Sequence, residues 1–110
     1  MEKVSGGWIV VFITVSSFEE GEKIAKTLVN EKLVACINII DGLKSIYWWK
    51  GKVEESSEAL LIIKTRIDLF NELVDRVKEL HSYTVPEIIA LPIIMGYKGY
   101  MDWLNSSVSK

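Results

Sequence analysis

The 110-residue sequence predicts an α+β sandwich, in which strands and helices follow one another as β-α-β-β-α-β with a short helix at the end. Three observations carry the prediction. The runs IVVFITV, ACINII, ALLII and IIALPI are continuously apolar, rich in branched side chains and too short for helices, as strands covered on both faces are. Two other segments, 17–32 and 68–80, place apolar residues at the helical period instead. The polar turn Lys50-Gly51-Lys52 joins the second and third strands too tightly for a helix, so that pair is a hairpin.

Residues 8–15, WIVVFITV, are the first strand. Ser17 and Glu20 have the spacing of a capping box, and Ile24, Ala25, Leu28 and Val29 then form one stripe of a helix running to about Lys32. Glu19 with Lys23 and Glu22 with Lys26 occupy favourable i,i+4 positions on its wet side. LVACINII, 33–40, is the second strand, and it continues as LKSIYWW after a bend or bulge at Asp41-Gly42. The third strand, VEESSEALLIIKT, is polar in its first half and aliphatic in its second, so the hairpin tip protrudes beyond the core. Asp68 is an N-cap for the second helix, whose stripe is Phe70, Leu73, Val74, Val77 and Leu80. Pro86 sets the start of the fourth strand, EIIALPI, in which Pro92 demands an edge or a bulge because it has no N–H to donate. A turn from Gly96 to Gly99 leads to the terminal helix, anchored by Tyr100, Trp103, Leu104 and Ser107, with Trp103 as the main docking residue.

This order is the split βαβ arrangement of ferredoxin-like domains, and 110 residues suffice for one core, so residues 1–110 read as a single domain. In that arrangement both helices cover one face of the sheet. A solitary domain would then alternate apolar and polar residues along each strand, and these strands do not alternate. A second copy of the chain is the simplest cover for the other face, with the overlong hairpin extending a neighbour's sheet. The sequence therefore predicts a homo-oligomer.

A formal charge of −2 supplies no diffuse basic field for nucleic acid, and ALLIIKT lacks the aromatic platform that an RNA-binding sheet needs. Neither phosphate-binding glycine motif, GxGxxG or GxxxxGK[ST], occurs. No apolar run reaches the length of a membrane-spanning helix, so no membrane partner is expected. Lys3 followed by WIVVFITV resembles a secretory signal only faintly, being brief and β-branched, and the single cysteine suits a thiol-reducing compartment. The expected location is cytoplasmic.

Candidate site residues gather in LHSYTVPEIIALPI. His81 ends the second helix, where it can cap the last turn or serve as a ligand. Tyr83 offers a ring with a polar tip for an interface or a pocket mouth. Glu87 opens an otherwise apolar strand, and Lys64, at the end of ALLIIK, is its natural counter-charge if it is buried. Tyr47 or Trp49 can wall a pocket between subunits, and alternation sends Trp48 to the opposite side from Trp49. Cys36 reads as a small buried hydrophobe, with a ligand role requiring a nearby positive charge. No Ser-His-Asp arrangement connects to His81, so no catalytic residue is assigned.

EKLVACINII, SIYWWKGKVE, ALLIIKT, LHSYTVPEIIALPI and YMDWLNSSV, in this order, resemble the CutA family of divalent-cation tolerance proteins. The resemblance implies a ferredoxin-like subunit in a tight homotrimer built through its long hairpins, similar to the trimeric PII-type signal proteins. It also implies a part in tolerance of copper and other divalent metals, without an established reaction. Copper ligation in the family involves a cysteine near the end of the first strand and two adjacent histidines before the Tyr-x-x-Pro-Glu segment. Here Ile13 and Thr14 stand at the cysteine's place and Leu80-His81 at the pair, so His81 is the one retained metal position. The function expected is a trimeric binding protein whose clefts between subunits accept a metal ion, copper included, or a small anion. A structural or scaffold trimer and an enzyme using His81 or Glu87 as acid or base are the alternatives.

Overall fold

A computed structural model describes residues 2, 3 and 7–108, with side chains from residue 7 onward. The remainder of the expected 1–110 domain lies outside the described residues. In chain order the elements are β1 (Glu2–Lys3), β2 (Trp8–Val15), α1 (Phe18–Asn30), β3 (Cys36–Trp49), β4 (Lys52–Arg66), a 3-10 turn (Ile67–Leu69), α2 (Phe70–Leu80), β5 (Ile88–Pro92), β6 (Met95–Gly96) and α3 (Lys98–Ser107). The main sheet is antiparallel with order β3-β4-β2-β5, the ferredoxin-like order, while β1 and β6 form a separate two-residue ladder.

Alternation divides the sheet into two unlike faces. Ile9, Val11, Ile13 and Val15 of β2 stand beside Ala59, Leu61, Ile63 and Thr65 of β4, and all are buried. Ile24 and Leu28 of α1 and Leu73 and Val77 of α2 close over them as one core. Thr65, the one polar residue in that row, donates its hydroxyl to the Leu33 carbonyl at 2.7 Å. On the other face Val10, Phe12, Leu60 and Ile62 are only half-buried, and Ile40, Ile89 and Leu91 are exposed. Both faces are apolar, as the unbroken runs predict, yet the chain covers one of them fully and the other only in part.

Ser17 caps α1 as expected, accepting the Glu20 N–H at 3.1 Å. Glu20 does not complete the box on Ser17; it accepts from the N–H and hydroxyl of Ser16 instead. Of the two i,i+4 pairs, Glu22 and Lys26 meet at 3.8 Å. The β3–β4 pairing slips between Ile40 and Leu43, where Gly42 has φ +77, confirming a bulge within one long strand. At the tip Lys50 and Gly51 have φ +50 and +80, the sign that a two-residue hairpin turn needs at both central positions.

Two other expectations at helix starts are corrected. Asp68 does not cap α2: it accepts a forked pair of bonds from Arg66 at 3.1 and 3.2 Å, and the helix begins through the 3-10 turn. Gly96 and Gly99 make no turn, since Gly96 pairs with Glu2 in the small ladder and Gly99 lies within α3. Met101 and Leu104 dock that helix; Trp103 is exposed and stacks on Tyr100 at 5.5 Å. Pro92 takes its place on the edge strand β5, opposite Ile9, as its missing N–H requires.

Candidate functional site

Beyond the Val15–Ala59 pair, β4 runs on with β3 alone beside it, and the hairpin projects past the body of the sheet. The segment from His81 to Glu87 faces the base of this projection. Between them opens a cleft of about 750 Å³, with Tyr47, Trp49, Glu58, Tyr83 and Glu87 among its walls. Alternation along the hairpin turns Tyr47 and Trp49 to the cleft and leaves Trp48 on the far side, 74% exposed.

His81 ends α2, its N–H bonded to the Val77 carbonyl at 2.8 Å. Its ring is buried. Nε2 donates to the Thr14 carbonyl at 2.7 Å, and Nδ1 accepts the Tyr83 N–H at 3.0 Å, which fixes the tautomer from the network. The Tyr83 ring packs on the imidazole at 4.7 Å between centroids and delivers its hydroxyl to Glu58 Oε2 at 2.8 Å. Burial, and next the Glu58 carboxylate, push the Tyr83 phenol well above its ordinary value, so it acts as a donor. Thus the histidine orients the tyrosine, and the tyrosine holds the carboxylate.

Glu20 fastens the same loop to α1. Its Oε2 accepts the Ser82 N–H at 2.7 Å and its Oε1 the Ser82 hydroxyl at 3.1 Å, besides the two bonds from Ser16. Partial burial pushes this carboxyl up, but the bonds from Ser16 and Ser82 together outweigh it and hold the group at about 2. The capping spacing that singled out Glu20 therefore identifies the residue and misassigns its partners.

His81, Tyr83, Glu87 and Trp49 are brought to or beside the cleft, and Lys64 and Cys36 are not. Lys64 stands opposite Val10, whereas Glu87 precedes Ile88 and its partner Ile13, further along β2. The expected Lys64–Glu87 pair is absent. Lys64 instead donates to Asn38 Oδ1 and lies 3.9 Å from Cys36 Sγ, its partner across the β3–β4 ladder. Cys36 is half-buried rather than a core residue, with the Tyr100 hydroxyl beside it; burial and then the thiol raise that phenol's pKa. Glu58 was not singled out by sequence, because its neighbours Glu54 and Glu55 look the same and only Tyr83, from a distant segment, sets it apart.

The donors present do not fit copper at His81. Both ring nitrogens are engaged within the chain, and no group of three or more His, Cys, Asp or Glu suited to a metal occurs among the described residues. A small anion fares no better in the cleft, whose charged lining consists of Glu58 and Glu87. What the cleft offers is oxygen ligands, aromatic faces and negative charge.

The fold and sequence recur in known proteins. Residues 9–107 match the family model described as CutA1 divalent ion tolerance protein. A divalent-cation tolerance protein CutA of Thermus thermophilus is 55% identical over 98 residues, covering 89% of this chain and 95% of its own. A chloroplastic CutA 1 of Oryza sativa is 50% identical over 99 residues, 90% of this chain and 56% of its own. The chain thus spans about half the length of the chloroplastic plant relatives. The crystal structure of CutA1 from Oryza sativa superposes with a TM-score of 0.92 at 48% identity, covering 94% of this chain and 95% of that one. The family is described by tolerance of divalent ions and not by a reaction. The chain belongs to the CutA1 divalent ion tolerance family.

Proposed function

We propose that this chain assembles as a homotrimer and serves tolerance of divalent cations as a cytoplasmic binding protein, with the cleft around Glu58 and Tyr83 as its ligand site. The 2.8 Å bond from Tyr83 to Glu58 inside a cleft of about 750 Å³ carries the reading. It presents a held carboxylate in a space of the size that small-molecule sites have. Assembly is supported by the uncovered part of the outer face and, among the described residues, by free sheet edges at β3, at β5 and along the Lys52–Glu58 part of β4. Pairing the β5 edge with the free part of β4 on a neighbouring copy is a head-to-tail contact, and a threefold rotation would close it into a ring. The name of the Thermus thermophilus relative supports the process.

Calorimetric titration of the assembled protein with copper(II), zinc(II) and magnesium(II) tests the metal role. Binding weakened about tenfold or more by Glu58→Gln is expected, since a hydrogen bond to a charged partner is worth about 1.5–3 kcal/mol. Copper binding that ignores Glu58→Gln and vanishes in His81→Ala would return the ligand role to His81. A structural reading of His81 itself has its own support, because both ring nitrogens hold backbone groups of the fold. His81→Ala should therefore lower the melting temperature whatever it does to ligands.

A further inference from the structure

Glu58 is the buried carboxylate in this structure that lacks a counter-charge. It is 8% exposed, its Oε2 accepts from the neutral phenol of Tyr83, and no lysine, arginine or histidine pairs with it among the described residues. A desolvated carboxylate is costly unless an opposite charge or several donors meet it. Glu58 lines the open cleft, where a cation from outside the chain can supply the missing charge.

The surroundings say what kind of charge fits. Tyr47 and Trp49, 41% and 44% exposed, flank the same space, and Tyr83 adds a third ring. Ring faces attract weakly hydrated organic cations, and the attraction grows where water is excluded. Trp49 already holds one ammonium in this way: Lys50 Nζ lies 5.9 Å from its ring centroid, at the exposed tip. A divalent metal and an organic cation would both answer to the two carboxylates, but only an organic cation also uses the ring faces. A cavity of about 750 Å³ is also far larger than a bare ion needs.

We propose that the cleft binds a small organic cation of the alkylammonium class, with Glu58 as its counter-charge, Tyr47, Trp49 and Tyr83 as its walls, and Glu87 at the rim. Tyr83 serves as the fixed donor that orients the Glu58 carboxylate, and His81 fixes Tyr83 in turn. This rests on the reading of the cleft as a ligand site, but not on a metal role.

Tetramethylammonium chloride titrated into the assembled protein, with sodium acetate at matched ionic strength as the anion control, tests it by calorimetry. Saturable binding of tetramethylammonium, and none of acetate, is the expected result. Glu58→Gln should weaken binding about tenfold, and Trp49→Leu, at an exposed position where folding is not at stake, by about threefold. Failure of tetramethylammonium to saturate, equal binding of acetate, or affinity unchanged in both variants would overturn the proposal. So would loss of assembly in Glu58→Gln with tetramethylammonium binding intact in Trp49→Leu, since the counter-charge would then belong to a second copy. Zinc binding without tetramethylammonium binding would remove the organic cation and leave the ligand site standing.

Discussion

The two faces of the central sheet are made of the same kinds of residue and end in different circumstances. Leu61 and its row lie under α1 and α2 with no exposure, whereas Leu91, on the opposite face at the sheet edge, is 50% exposed. Burial on the inner face is a property of the single chain. On the outer face α3 covers the end near Arg66, where Arg66 reaches Asn105 at 3.1 Å, and the rest stays open. Monomeric proteins seldom leave contiguous apolar surface of this kind uncovered. The difference teaches that half of the hydrophobic information in these strands is addressed to something other than the chain's own helices.

Truncating the same residue type on each face breaks the comparison most clearly. Leu61→Ala should cost about 3 kcal/mol in denaturant unfolding, the usual loss at a core site that cannot collapse. Leu91→Ala should leave the protomer's secondary structure unchanged and instead raise the concentration at which the assembly dissociates, read by light scattering on dilution. Equal effects of both variants on unfolding alone would contradict the division of the faces.

Acid should act on the closed side through Glu20. Its folded pKa, about 2, lies below the ordinary carboxylate value, so its contribution is complete above about pH 4.5 and is lost as the pH falls towards 2. The loss amounts to up to about 3 kcal/mol, and Glu20→Gln should flatten that part of the stability profile. Because Glu20 ties Ser82 to the start of α1, acid should also loosen the cleft loop, visible as faster amide exchange at Ser82. The smallest effect expected is that of Thr65→Val, which removes one hydroxyl bond to Leu33 from the inner row and should cost about 1 kcal/mol.

The fold was legible because its signals are local. The period of the apolar residues placed β2 at Trp8–Val15 and the stripes of α1 and α2, and Lys50-Gly51 marked the hairpin tip. Where a local signal met a competitor it failed: Asp68 has the chemistry of a cap, but the Arg66 guanidinium fork takes both its oxygens. Trp103 has the bulk of an anchor, yet the helix turns Met101 and Leu104 inward. The β1–β6 ladder has too few residues to leave a pattern.

The site was legible only in part, since its key contacts join distant segments. His81, Tyr83 and Glu87 stood out as rare polar residues in an apolar stretch, and Trp49 as an aromatic at a hairpin. Lys64 was assigned to Glu87 because both are charges among apolar residues, whereas the β3–β4 register puts it beside Cys36. Glu58 could be found only from the hydroxyl of Tyr83, 25 residues away. That long-range bond joins the hairpin to the loop and builds the cleft.

Assembly of the chain upon its own outer face is the claim on which the rest depends, and sedimentation at micromolar concentration tests it most directly. Wild-type protein should sediment as three copies of the 12.5 kDa chain, and Ile89→Lys combined with Leu91→Lys should yield a folded single chain. Wild-type protein that sediments as one 12.5 kDa chain with native circular dichroism would contradict the account.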